Sequence, residues 1–244
     1  MIFRQLFDRE SSTFTYLLAD ASTGEAALVD TVRENVDRDL KLVAELGLTL
    51  KHVLETHVHA DHVTGAGEIR RRTGARTHVA REGEVPCADD DLVAGAVVRV
   101  GAVELVTLAT PGHTAGCLSF LVRENGDADR VLTGDALLVR GCGRTDFQGG
   151  DSGTLFDSVR GQLFALPDRT LVFPAHDYKG FSVTTIGEER AHNPRLGEAV
   201  TRDAFVALMA GLNLPPPGKI HEALPLNRQC GDVAPAPRNP QGTA

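Results

Sequence analysis

Thr56-His57-Val58-His59-Ala60-Asp61-His62 is the stretch on which the fold of this chain turns. It follows His52-Val53-Leu54-Glu55, a short run that reads as a buried strand. In extended backbone, residues two apart face the same side, so His57 and His59 can aim at one point. Asp61 and His62 fall where the chain turns toward its next helix, close enough to build a second cluster beside the first. Imidazole and carboxylate are the ligands expected for zinc, iron or manganese. A lone histidine is usually structural; four ligand-type side chains between positions 57 and 62 are not explained by packing.

Two further pieces complete a site. Thr110-Pro111-Gly112-His113-Thr114 places a histidine in a Pro-Gly turn after the strand-like run Val103–Leu108. Gly134-Asp135 follows Val131-Leu132-Thr133 and puts a carboxylate at a strand end, where sites cluster. Catalytic metal sites take ligands from separate elements and keep positions open for water or substrate. Two histidines and one carboxylate leave up to three positions free, the pattern of non-haem Fe(II) oxygen chemistry. A third element, Phe173-Pro174-Ala175-His176-Asp177-Tyr178-Lys179-Gly180, is again a strand followed by a polar loop. His176 there could bind a second metal or orient a ligand of the first. Tyr178 and Lys179 could meet a substrate.

Around these motifs the chain alternates between short strands and a few helices. Phe14–Leu18 and Ala26–Asp30 flank Ser22-Thr23-Gly24 as a hairpin. Val36, Leu40, Val43 and Leu46 recur at helical spacing and stop at Gly47. Val63 to Gly74, with Arg70, Arg71 and Arg72, reads as a surface helix whose basic run faces solvent. Strands are expected at Val103–Leu108, Cys117–Val122, Arg130–Thr133 and Thr170–Phe173. Helices are expected after the cap residues Asp151-Ser152, after the capping-box pair Thr185 and Glu188, and through Phe205, Leu208, Met209 and Leu212 as the last helix. This order predicts two mixed sheets packed together with helices outside. No linker splits the chain, so a single domain is expected over 1–233, followed by a flexible Pro- and Gly-rich tail, 234–244.

The 244 residues are 42% hydrophobic and 24% charged, an ordinary soluble-enzyme composition. The 25 Lys plus Arg against 33 Asp plus Glu give a charge of −8, with two Tyr and no Trp, which argues against nucleic-acid binding. No run approaches the roughly 18 apolar residues that span a bilayer. The start, MIFRQLFDRESS, has no apolar signal core, so a cytoplasmic location is expected. The four cysteines (Cys87, Cys117, Cys142, Cys230) form no CxxC pair, and reduced thiols are expected, with Cys117 in the core.

The HxHxDH motif at 57–62, His113, Asp135 and His176, in this order and spacing, resembles the metallo-β-lactamase superfamily. That resemblance covers the chain from the first hairpin to about Cys230. It implies an α+β fold, an αββα sandwich of two mixed sheets flanked by helices. Longer runs narrow the likeness. GDALLVRGCGRTDFQGGD (Gly134–Asp151), PAHDYKG (Pro174–Gly180) and Glu189-Arg190…Asn193-Pro194-Arg195 resemble the persulfide dioxygenases, also called sulfur dioxygenases.

The resemblance implies one Fe(II) per chain held by His57, His113 and Asp135, and reaction of glutathione persulfide with O2 and water to give sulfite and glutathione. It makes His59, Asp61, His62 and His176 supporting groups that fix ring tautomers and position water, with Tyr178 near the iron. Glutathione carries two carboxylates, so a cationic rim is expected, with Arg144, Lys179, Arg190, Arg195 and Arg228 as candidates. Cys142 and Cys230 sit in family-like segments, and both packing and redox roles are open to them. A homodimer is admitted, with no nucleic-acid or membrane partner. The nearest alternative is a dinuclear zinc hydrolase of glutathione thioesters, of the glyoxalase II type, which would use Asp61, His62 and His176 for a second metal with Asp135 bridging. A non-catalytic metal-binding or sulfur-carrier protein would bind metal without consuming oxygen.

Overall fold

The computed structural model describes residues 1–232. The expected tail, 234–244, lies outside the described residues. Twelve strands form two six-stranded sheets. The first runs β1 (Ile2–Phe7), β2 (Phe14–Ala19), β3 (Glu25–Val29), β4 (Thr49–Leu54), β5 (Arg76–Ala80) and β6 (Asp90–Leu92), neighbours in chain order. Its first three strands are antiparallel and the rest parallel, so the sheet is mixed. The second contains β7 (Val97–Val100), β8 (Val103–Ala109), β9 (Leu118–Glu124), β10 (Asp127–Gly134), β11 (Leu171–Pro174) and the two-residue β12 (Thr184–Thr185). Only β10 and β11 pair in parallel there.

Alternation along the strands builds the layers. On β2 every residue is buried. Phe14, Tyr16 and Leu18 point inward to meet Val103, Leu105, Phe120 and Val122 of the opposite sheet. Leu17 and Ala19 point outward, under α1 (Val36–Glu45) and α2 (Ala66–Thr73), where Val36, Val43, Ala66 and Ile69 cover them. A strand covered on both faces carries apolar residues without a polar side, which explains FTYLLA. On the far face of the second sheet, Val106, Leu121, Val131 and Val172 pack beneath Leu155, Val159, Ile186, Phe205 and Met209. These come from α3 (Ser152–Ser158) and the wide turn after it, α4 (Ile186–His192) and α5 (Arg202–Ala210). The result is helix, sheet, sheet, helix, as expected. Truncating Phe120, fully buried between the sheets, to Ala costs about 3–5 kcal/mol on the scale of core deletions.

The caps fall where the sequence put them. Asp151 accepts from Thr154 N at 2.7 Å, and Thr185 accepts from Glu188 N at 3.1 Å. The Arg70–Arg72 run lies on the surface helix α2 and is dressed with ion pairs to Asp89, Glu68, Asp232 and Asp37. Two expectations are corrected. A further helix, α6 (Ile220–Asn227), follows α5, which is therefore not the last. Reduced thiols hold only for Cys117 and Cys142, both buried. Cys87 and Cys230, 143 residues apart, are joined by a disulfide. The exit of α6 packs Cys230 with Val58, Val79 and Val85, and this brings its sulfur to Cys87 on the β5–β6 connection. No helix among the described residues is long and apolar enough to cross a membrane.

Candidate metal centre

His57, His59 and His62 leave β4 on a loop that is almost entirely buried. Asp30, just past the end of β3, fixes its start. One carboxylate oxygen accepts from Thr56 N at 2.7 Å, the other from the Thr56 hydroxyl at 3.0 Å. The hydroxyl, having donated to Asp30, accepts from His57 Nδ1 at 3.0 Å, which leaves Nε2 with its lone pair free. Burial first, then the neighbouring rings of His59 and His113, hold the His57 imidazole well below its usual pKa, in the neutral form that ligates metal.

His113 rises from the Pro-Gly turn after β8 and donates from Nδ1 to the Arg144 carbonyl at 2.6 Å, so its Nε2 is likewise free. Gly143 permits this approach. A Cβ there would lie 2.7 Å from His113 Nδ1 and from the Asp135 carbonyl. Asp135 follows β10 through Gly134, whose φ of 51° and close seat against Thr56 suit glycine alone. One atom from each of His57, His113 and Asp135 lies within 4.8 Å of the other two. The residues fit a bound cation: two imidazoles converge with a buried carboxylate, and Asp135 Oδ1 has no hydrogen-bond partner.

The other ligand-type residues are arranged differently. His59 Nε2 donates to Asp30 at 3.1 Å and lies 3.3 Å from Glu55 Oε2. Burial disfavours its charge, but Asp30 and Glu55 outweigh burial and raise its pKa well above the usual value. Asp61 Oδ2 accepts from Thr13 at 3.1 Å and from His62 Nδ1 at 2.9 Å. His176 Nε2 sits 3.6 Å from Asp135 and 3.7 Å from Asp61, and its ring stacks on Tyr178 at 5.7 Å. A second grouping, His59 with Asp61 and His62, stands beside the first.

The centre opens into a cavity of about 770 Å³. Of the five cationic candidates, Arg144, Lys179 and Arg195 line it. Arg144 grips Asp146 with two nitrogens and donates to the Leu214 and Pro215 carbonyls, so it brackets the wall. Arg190 is not brought to the cavity; it binds the Phe164 and Leu166 carbonyls and Asp168. Arg228, after α6, does not line it either. Cys117 is core as expected, and burial pushes its thiol up to about 12; burial pushes Cys142 up to about 11, so neither offers a ready thiolate.

Sequence reasoning missed Asp30, Glu55 and Asn227. Asp30 carried a readable signal, since it ends a strand just as Asp135 does. Asn227 carried none: from α6 its amide donates to the His59 and His62 carbonyls, at 2.8 and 2.9 Å, and accepts from Thr64 N at 2.8 Å. It also missed Glu189 and Asn193 as structural anchors. Glu189 is fully buried and accepts from Arg140 and from Asn193, while Asn193 donates to the Gly141 carbonyl, which ties α4 to the loop forming the cavity wall.

With the double sheet, its flanking helices and this His/Asp centre in place, the class follows: the chain belongs to the metallo-beta-lactamase superfamily, whose model matches residues 8–176. Within it, the chain belongs to the persulfide dioxygenase family. It is 46% identical, over 96% of its length and 91% of the relative's, to human "Persulfide dioxygenase ETHE1, mitochondrial". The crystal structure of ETHE1 from Myxococcus xanthus superposes with a TM-score of 0.91 at 54% identity, covering 95% of this chain and all of that one. A hydroxyacylglutathione hydrolase of Cereibacter sphaeroides is more distant, 38% identical over 69% of this chain and 64% of the relative.

Proposed function

We propose that this chain oxidises glutathione persulfide with O2 and water to sulfite and glutathione, using one Fe(II) held by His57, His113 and Asp135. The observation that carries the reading is the grouping of those three side chains without His59, on a chain of this family. Ferrous iron bound there supplies the redox chemistry with O2. The protein's own groups do the rest. Arg144 O and Thr56 Oγ hold the two imidazoles in the ligating tautomer. Asp30 and Glu55 hold His59 back, while Thr13 and His62 hold Asp61. Asp61 and His176, both lining the cavity beside Asp135, are placed to orient water or substrate. Tyr178, stacked on His176, flanks the approach. Lys179, which has no ion-pair partner among the described residues, and Arg195, which donates to the Cys142 carbonyl, are the candidates for a substrate carboxylate.

A second reading, the dinuclear zinc hydrolase, draws on one observation: His62 Nε2 and His59 Nδ1 are buried without hydrogen-bond partners near Asp61. An oxygen electrode with glutathione persulfide, run alongside elemental analysis, separates the two. Oxygen uptake with one iron per chain supports the dioxygenase; two zincs and thioester cleavage overturn it. A single domain over 1–233, a homodimer and a cytoplasmic location complete the proposal, and limited proteolysis, light scattering and cell fractionation test them.

A further inference from the structure

The cavity's charged groups divide into those already committed and those free to meet a ligand. Among the acids lining it, Asp135 belongs to the metal centre and Asp61 to Thr13 and His62. Both Asp177 oxygens accept from backbone N–H groups, those of Lys179 and Gly180. Glu10 is the remaining lining carboxylate, and its partner is Lys219, whose Nζ lies 2.6 Å from Oε1. Lys219 also lines the cavity, from the residue that precedes α6, and stands 3.9 Å from Glu34. The Lys219 and Glu10 side chains are 30% and 68% exposed, so the pair is a solvated one of small net worth and opens at little cost.

A cation and an anion side by side on the rim of a cavity form the mirror image of an α-amino-acid head group, which carries a carboxylate beside an ammonium. We propose that Lys219 and Glu10 are the specificity determinants for the γ-glutamyl end of the substrate, Lys219 taking the α-carboxylate and Glu10 the α-ammonium. The inference rests on the persulfide dioxygenase reading and sharpens it, since it selects γ-glutamyl persulfides over persulfides lacking an amino-acid head. Arg195 and Lys179 offer cations without a neighbouring free acid, so they suit the glycine carboxylate and not the zwitterion.

The test is a calorimetric titration of the iron-loaded protein with S-methylglutathione and with its N-acetyl derivative, which lacks the ammonium. Wild type is expected to bind S-methylglutathione about tenfold more tightly than the N-acetyl form. Glu10→Gln is expected to weaken S-methylglutathione about tenfold and leave the N-acetyl ligand unchanged, while Lys219→Met weakens both. With glutathione persulfide, both variants raise KM more than they lower kcat. Equal sensitivity of the two ligands to Glu10→Gln, no sensitivity of either, or no binding of S-methylglutathione by wild type overturns the proposal. If wild type binds S-methylglutathione yet consumes no oxygen with the persulfide, the dioxygenase reading fails, and the head-group assignment is still decided by the titrations.

Discussion

His57, His113 and Asp135 bring atoms that could hold a metal ion within 4.8 Å of one another, whereas His59, whose ring lies 4.1 Å from that of His57, turns an edge toward Asp30 and Glu55. The residue types are the same in both groups. What differs is where the polar atoms are directed. In the triad, His57 and His113 each donate from Nδ1, to the Thr56 hydroxyl and the Arg144 carbonyl, which leaves Nε2 free to face the centre. In the neighbouring group, Asp30 and Glu55 take His59 Nε2 and Thr13 and His62 take Asp61 Oδ2, while His59 Nδ1 and His62 Nε2 stay buried without partners. The contrast is one of degree: protein hydrogen bonds commit one nitrogen of His59 and one oxygen of Asp61, whereas Asp135 Oδ1 carries none.

The largest effect is expected at the triad. His113→Ala or Asp135→Ala abolishes iron binding and oxygen uptake, lowering turnover by at least roughly a thousandfold, with the circular dichroism spectrum retained. Iron content and activity near wild type in either variant would break the comparison outright. Next comes the clasp beneath the loop. Asn227→Ala strips partners from two carbonyls and one amide that are buried, and is expected to cost about 2–3 kcal/mol of unfolding free energy and roughly tenfold in iron affinity. Denaturant melts and competitive chelator titration measure the two losses. A smaller effect is expected at His176→Ala: iron stays near one per chain while turnover falls about tenfold. Loss of a metal equivalent there would make His176 a ligand and merge the two groups.

The smallest effect lies outside the centre, in a histidine pair that serves as a control. His52 Nδ1 and His78 Nε2 are 2.9 Å apart on β4 and β5, and burial, then the charge of His52, bring His78 down to about 4. Its folded-state pKa is below the unfolded value, so between pH 4 and about 6.5 the unfolded chain binds more protons. Stability is therefore fully present above that window and falls as pH drops through it. His78→Asn is expected to flatten the slope of melting temperature against pH there without changing iron content; an unaltered slope would contradict the assignment.

Much of this was legible because the chemistry sits in short local runs. HxHxDH, the Pro-Gly-His turn and the Gly-Asp strand end each declare themselves within a few residues, and β-rich, mostly buried runs mark β2, β8 and β9. β5 escaped because Arg-Thr-His-Val-Ala is buried by parallel pairing on both sides and not by its own hydrophobicity. β6 is only three residues, two of them Asp. α6 follows Pro215-Pro216-Pro217 and contains Pro225, so composition argues against the helix that tertiary packing supports. Its Asn227, the Cys87–Cys230 disulfide, and the Lys219–Glu10 pair join residues more than 140 positions apart, and no local pattern announces them.

Metal stoichiometry tests the central claim most directly. Protein purified from iron-replete cells and measured by elemental analysis against amino-acid quantitation is expected to hold one iron per chain, with zinc well below stoichiometry. Two metal ions per chain, with the second lost in Asp61→Ala, would contradict the claim that His59, Asp61, His62 and His176 support the centre without ligating it.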